Sequence, residues 1–184
     1  MLTCQEGLRR LVLDLVVRED EDLLVDLLNT TPVVDGQRID ELADPAKARS
    51  WAAAHGGAGT AGETAKLRSA RDAIQDVISG KSPAQTLAAQ LERVTLGPRL
   101  RDGVLGWELQ VSAEEMLAAR ALLAWAGIKE RAPGRLRPCA NPECCRFLLD
   151  RSNANRAQWC SMALCGNRLK ARRHYQRTRA TGTT

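Results

Sequence analysis

Five of the six cysteines, Cys139, Cys144, Cys145, Cys160 and Cys165, crowd into 27 residues, while Cys4 stands alone near the start. They form two close pairs, Cys139-x4-Cys144 and Cys160-x4-Cys165, with fifteen residues between them. A tetrahedral zinc site asks for this arrangement: each pair folds over the ion, and the spacer turns to bring the pairs together. Asn153-Ala154-Asn155 supplies turn residues near the middle of the spacer, and Phe147, Leu148 and Trp159 supply a small apolar core. Four thiolates close the coordination shell, which suits a structural ion and leaves no open position for a catalytic water. Cys145 directly follows Cys144 and would point away from the ion, so the symmetry of the two gaps selects Cys144. The four-residue gaps do not match the Cys-x-x-Cys of thiol redox sites. Spacing alone leaves an iron–sulfur cluster open as another occupant. His174 lies nine residues past Cys165, too far along a continuous helix to join the site. The expected cofactor is therefore one structural Zn2+ on Cys139, Cys144, Cys160 and Cys165. A segment of about 40 residues cannot hold itself together by apolar burial. Zinc contributes ~10–16 kcal/mol in comparable modules and would decide whether this one folds.

The chain beyond the last cysteine is strongly basic. Ser161 is placed to cap a helix whose first turn carries Cys165. At helical spacing Cys165, Leu169 and Gln176 share one narrow face toward the metal. Six cations, Arg168, Lys170, Arg172, Arg173, Arg177 and Arg179, sit on the two flanks. A zinc–tetrathiolate centre needs only two cations for neutrality. Charge on both flanks suits a helix sunk between two phosphate rails. Arg168, Arg172 and Arg173 are the expected contacts near bases, because guanidinium bridges guanine bidentately. Lys170, Arg177 and Arg179 are the expected phosphate contacts. Charge is partitioned along the chain in the same sense. Residues 131–184 carry 12 Lys/Arg against 2 Asp/Glu, whereas residues 1–130 carry 15 against 20. An acidic body with a basic end is the asymmetry expected when one region faces a polyanion.

The elements that must position this segment read as a small helical domain. A chain of 184 residues, 44% hydrophobic and 27% charged, accommodates one ordinary domain and a small appendage. Leu8, Leu11, Val12, Leu15 and Val16 recur at helical spacing, and Asp22 caps a second helix through Asn29. Asp44-Pro45 opens a helix to about His55, anchored by a buried Trp51, and Thr60 to Ser79 form a long amphipathic helix. Ser82-Pro83 starts another, reaching about Leu91. Alternating apolar residues around Asp102-Gly103 predict a β-hairpin over 93–110. Ser112 and Glu115 form a capping box for a helix that runs to Trp125 and stops at Gly127. Pro133-Gly134 marks the boundary, giving a helical domain over 1–130 and a finger over 131–184. The fold class expected is mainly α with a small β-hairpin, followed by a four-cysteine zinc-ribbon or treble-clef-like finger ending in a basic helix and a short disordered tail. No nucleophile–base pair or phosphate-cradling glycine loop is present, so no enzyme is expected. His55 reads as a surface or capping histidine. No apolar run reaches the ~20 residues of a membrane span, and residues 1–10 show no signal-peptide pattern. The chain is expected in the cytoplasm, on the nucleoid.

The C-terminal residues carry a resemblance. Trp159-Cys160-Ser161-Met162-x-x-Cys165-Gly166-Asn167-Arg168-x-Lys170-Ala171-Arg172-Arg173-His174 resembles the CGNR zinc finger, whose tetrapeptide is intact here. Asp26-Leu27-Leu28-Asn29-Thr30, Trp51 and Leu67-Arg68 resemble the ABATE domain that usually precedes it. Together these cover almost the whole chain. The resemblance implies a bacterial transcription regulator, commonly actinobacterial, with a zinc-ribbon-like finger ligated by Cys139, Cys144, Cys160 and Cys165. It also allows RNA as the target. Two features depart from the pattern: a cysteine at Cys145, and a longer apolar stretch before Asp22 that reads as an added helix or a dimerisation element.

These readings converge on a zinc-dependent regulator binding double-stranded DNA through the major groove. The N-terminal domain is then sensory or oligomerising, with an unspecified effector. One short finger offers few base contacts, so a homodimer on paired half-sites is expected. RNA binding is the first alternative, disfavoured by the shortage of stacking aromatics, with only Tyr175 and Phe147 available. An adaptor whose basic end meets an acidic partner, or the acidic body itself, is the second.

Overall fold

The computed structural model describes residues 20–172 and 175. The expected helix at residues 8–16, Cys4, and Arg173, His174, Arg177 and Arg179 lie outside them. Glu21 and Asp22 place acidic charge in the first turn of α1 (Glu21–Leu28), whose Leu23, Leu24, Leu27 and Leu28 are all buried. A two-residue hairpin, β1 (Val33–Val34) and β2 (Gln37–Arg38), follows. Asp35 and Gly36 turn it with φ of 50° and 79°, the left-handed pair that a tight hairpin turn needs. The sequence reading missed this hairpin, because two residues per strand show no period.

Asp44 caps α2 (Pro45–Ala54) by accepting from the N–H groups of Ala46 and Lys47. Trp51, expected to be buried, is half-buried: it packs against the core's edge and lies tilted against the His55 ring at 4.3 Å; Ala48 and Ala52 are the buried residues of this helix. Thr60 caps α3 (Ala61–Ile78) by accepting from Glu63 N–H. The expected helix after Ser82-Pro83 is a 3-10 turn, Ala84–Leu87, and a single turn, α4 (Ala88–Leu91). With Leu87 its only buried side chain, the segment lacks the apolar stripe that would sustain a longer helix. The expected hairpin is β3 (Thr95–Arg101) against β4 (Val104–Gln110), antiparallel, turned at Asp102-Gly103.

The last body helix, α5 (Ala113–Arg131), passes through Gly127 instead of stopping there. Gly127 is buried inside the helix, and an interior glycine costs only about 1 kcal/mol relative to alanine. Pro133 sets the end, since the residue before a proline is driven out of helical conformation. At the other end the Ser112 hydroxyl donates to the Glu115 carboxylate at 2.8 Å, without the reciprocal side-chain cap on an amide. Helices α1, α3 and α5 enclose the core, with Leu24, Leu27, Leu67, Ile74, Leu117 and Leu122 all at most 1% exposed. Phe147, from the cysteine-bearing segment, belongs to the same cluster.

A polar layer lies against that core. The Arg71 side chain is 2% exposed and spans Asp40 through two bonds of 2.6 and 3.0 Å. It also donates to Asp72 at 2.8 Å and to Thr30 at 3.1 Å. Gln75 donates to the Leu28 carbonyl at 2.7 Å and to Thr31 at 3.0 Å, satisfying an acceptor at the open C-terminus of α1. Such a buried cation is tolerable because each of its three nitrogens finds a partner.

Candidate metal centre

Strands β5 (Leu136–Pro138) and β6 (Phe147–Leu149) pair antiparallel, Pro138 opposite Phe147. The pairing extends through Cys139 N–H to the Arg146 carbonyl at 2.8 Å. Cys139 and Cys144 therefore sit in the loop of this hairpin. The spacer expected to turn between the two pairs contains β6 and then an irregular loop over residues 150–159. A single carboxylate organises it. Asp150 is buried and accepts from Ser152 N–H at 2.8 Å, Ser152 Oγ at 2.6 Å, Ala157 N–H at 2.8 Å and Arg137. The Ser152 hydroxyl, the two amides and the Arg137 charge outweigh desolvation and hold its carboxyl down at about 2. Arg137 also donates to the Gly134 and Ala157 carbonyls.

Ser161 caps the last helix, α6 (162–172), its hydroxyl accepting from Leu164 N–H at 3.0 Å. The Ser161 carbonyl accepts from both Cys165 and Gly166 at 3.1 Å, so the first turn, Met162–Gly166, is a π turn. Gly166 is buried there, and a Cβ would lie 2.6 Å from Met162 Sδ and 3.2 Å from Trp159 Cδ1, so the Met162 side chain would have to move aside.

These three pieces bring the four sulfurs of Cys139, Cys144, Cys160 and Cys165 within 4.8 Å of one another. Cys144 Sγ is 3.8 Å from Cys160 Sγ, which is 3.7 Å from Cys165 Sγ. A tetrahedron with Zn–S bonds of ~2.3 Å has edges of ~3.8 Å, so the donor set fits zinc in size and in chemistry. Cys145 is half-buried and outside the cluster. Burial, with the neighbouring sulfurs, pushes the Cys144 thiol up to about 11 and raises Cys160 as well. Sulfurs this close cannot all ionise without a cation among them, and zinc uptake must release protons. The surrounding shell is oriented toward the sulfurs. Asn141, 2% exposed, places its amide nitrogen 3.5 Å from Cys165 Sγ while its carbonyl accepts from Glu143 N–H. Cys160 N–H points at Cys139 Sγ at 3.5 Å.

On α6, Cys165 is buried, Leu169 half-buried, and Arg168, Lys170 and Arg172 exposed. Arg172 pairs with Glu143 of the first cysteine loop, at 2.9 and 3.4 Å. Among the described residues, the side chains of Arg168 and Lys170 find no hydrogen-bond partner. Sequence reasoning missed Asn141, Asp150 and Glu143, which carry no spacing signature. It also missed Asn29, whose side chain clamps the Phe147 backbone, donating to the carbonyl at 3.2 Å and accepting from the amide at 2.8 Å. Arg151 reinforces that joint with Asp22 at 2.6 Å.

A helical body holding a closed four-cysteine zinc centre with a basic helix leading away from it defines a zinc-finger protein of the regulator type. The chain belongs to the ABATE family, described as "Putative stress-induced transcription regulator", whose sequence profile matches residues 21–133. The CGNR zinc finger profile matches residues 135–178. No curated protein matches the chain. Neither family is an enzyme family, and the donor set supports one structural zinc ion. No helix of the described residues is long and apolar enough to cross a membrane.

Proposed function

We propose that the protein is a transcription regulator that binds duplex DNA through α6 and its basic continuation. The observation that carries this is the exposure of Arg168, Lys170 and Arg172 on a helix whose first turn places Cys165 in the four-sulfur cluster. Several other cations of the basic segment are spent internally. Arg135 and Arg137 bind backbone carbonyls, and Arg151 binds the body. Arg168 and Lys170 are left facing solvent, as phosphate contacts require, while the exposed Arg172 pairs with Glu143. Arg168, Arg172 and Arg173 are assigned to base edges, and Lys170, Arg177 and Arg179 to phosphates. Residues 131–184 form the DNA-reading unit and residues 1–130 the regulatory or oligomerising one.

The test is binding of the zinc-loaded full chain to duplex DNA across a salt series, with single-stranded and duplex RNA as competitors. Lys170→Ala is expected to reduce the slope of log K against log salt by ~1. RNA that outcompetes DNA at equal salt would transfer the reading to the RNA alternative. An unchanged slope would remove Lys170 from the phosphate contacts.

A further inference from the structure

Among the described residues four charged side chains are buried: Asp20, Glu63, Arg71 and Asp150. Three of them are ion-paired, Asp20 with Arg120, Arg71 with Asp40 and Asp150 with Arg137. Glu63, 2% exposed, is not. Its Oε2 accepts from Gly59 N–H at 2.6 Å, while Oε1 finds no donor among the described residues. A glutamate is seldom buried without a partner, because taking an unpaired charge out of water is costly. Glu63 stands in the floor of a cavity of about 410 Å3, between the N-terminal turns of α3 and α5 and the loop over residues 56–60. Buried Leu117 and half-buried Met116 supply the apolar part of that floor, and Thr60 and Glu114 stand at its exposed rim. Gly57, which also lines the cavity, keeps the free oxygen accessible: a Cβ there would collide with Glu63 Oε1 and lie 2.6 Å from Leu117 Cδ1.

We infer that this cavity binds a primary ammonium group carried on an apolar body, the chemistry of an aliphatic or aralkyl monoamine. No Lys, Arg or His is among the described residues that line it, so the cation that Glu63 lacks must come with the ligand. A hard metal ion asks for about six oxygen ligands, and the lining offers side-chain oxygens only from Thr60, Glu63 and Glu114. The Thr60 hydroxyl is already engaged, accepting from Glu63 N–H at 3.1 Å and donating to Glu114 at 3.4 Å. A quaternary ammonium has no N–H to give and is held by aromatic faces, and no aromatic ring is among the described lining residues. A primary ammonium gives an N–H to Glu63 Oε1, keeps the Glu114 carboxylate nearby at the rim, and lays its carbon chain on Leu117 and Met116. A largely apolar cavity of a few hundred Å3 with a few convergent polar groups has the character of a small-molecule site. None of these residues belongs to the metal centre or to α6, so binding here is independent of the DNA reading.

Calorimetric titration of the zinc-loaded full chain with n-hexylammonium chloride, without nucleic acid and at constant ionic strength, tests this. Wild type is expected to bind one n-hexylammonium saturably, in the millimolar range or tighter. n-Hexanol, hexanoate and tetraethylammonium are each expected to bind at least ~10-fold more weakly. Shortening the probe to n-butylammonium should weaken binding ~10-fold, as two methylenes leave the apolar floor. Glu63→Gln keeps an oxygen for Gly59 N–H and removes the charge. It is expected to bring hexylammonium and hexanol within about 2-fold of each other, a loss of preference that a purely structural role for Glu63 would not produce. Glu114→Gln, at the exposed rim, should cost only ~2–3-fold. Unchanged far-UV circular dichroism verifies that both variants fold. A wild type that shows no saturable hexylammonium binding overturns the inference. So does hexanol that binds as tightly as the amine, and so does a preference for the amine that survives in Glu63→Gln.

Discussion

The body and the finger achieve burial by opposite routes. In the body, apolar stripes on α1, α3 and α5 meet, and polar groups are admitted where a network satisfies them, as around Arg71. In the finger, strands of three residues and an irregular loop supply little apolar area, so sulfur–metal bonds and one carboxylate, Asp150, take over. The two are joined where each lends something to the other. Phe147 leaves the finger to enter the body's core, and Asn29 leaves the body to pair with the finger's backbone. A regulator built this way keeps a fixed orientation between its two parts, which neither a flexible linker nor an independent finger would provide.

The sharpest way to break the comparison is to remove a sulfur. Cys160→Ser should lower zinc from one per chain to a small fraction by elemental analysis, and expose residues 135–172 to rapid hydrogen exchange. The helical circular dichroism of the body should persist, because its core closes without the metal. Loss of that signal together with the zinc would show that the two routes are one. The converse test is Leu117→Ala, at a side chain 1% exposed in the part of α5 distant from the finger. It should cost ~2–5 kcal/mol in denaturant unfolding, with zinc still stoichiometric in the folded protein.

The joint itself is expected to be weaker. Asn29→Ala strands the Phe147 amide and carbonyl, and ~1–3 kcal/mol is the scale for such unsatisfied buried groups. Amide exchange at Phe147 should accelerate while exchange in α3 does not. Asn29→Asp, which keeps the acceptor and loses the donor, should fall between wild type and alanine. Equal exchange in all three proteins would mean that apolar packing of Phe147 alone holds the finger in place.

What the sequence disclosed follows the same division. Zinc ligation demands particular residue types at particular spacings, so the four cysteines could be read directly, as could the cap Asp44 and the Asp102-Gly103 turn. Contacts between remote residues left no such trace. Arg71 lies in a helix of alternating charge and reads as solvated; its burial depends on Asp40, 31 positions earlier. Asn29 and Phe147 are 118 positions apart. The joint between body and finger, and the place of hairpin β5–β6, are products of packing and not of any local pattern.

The smallest effect expected concerns the finger's outer surface, at the Glu143–Arg172 pair. Both side chains are about half exposed, so the pair adds little to stability, and Glu143→Gln should move Tm by about 1 °C or less. Its consequence lies in what Arg172 does next. Arg172, by hydrogen bond and charge, holds the Glu143 carboxyl below its ordinary value. A depressed carboxylate keeps its contact above the ordinary carboxylate range and loses it only as pH falls through the lowered value. The pair is therefore intact at neutral pH, and its influence on DNA binding should be flat from pH 6 to 8 within about a factor of two. If Glu143 competes with phosphate for the guanidinium, Glu143→Gln binds DNA a few-fold more tightly at low salt, and the gain fades as salt screens it. If Glu143 instead steadies Arg172 for a base edge, the same variant binds more weakly and discriminates less between sequences. The sign of one affinity change thus decides whether the first cysteine loop restrains the basic helix or aims it.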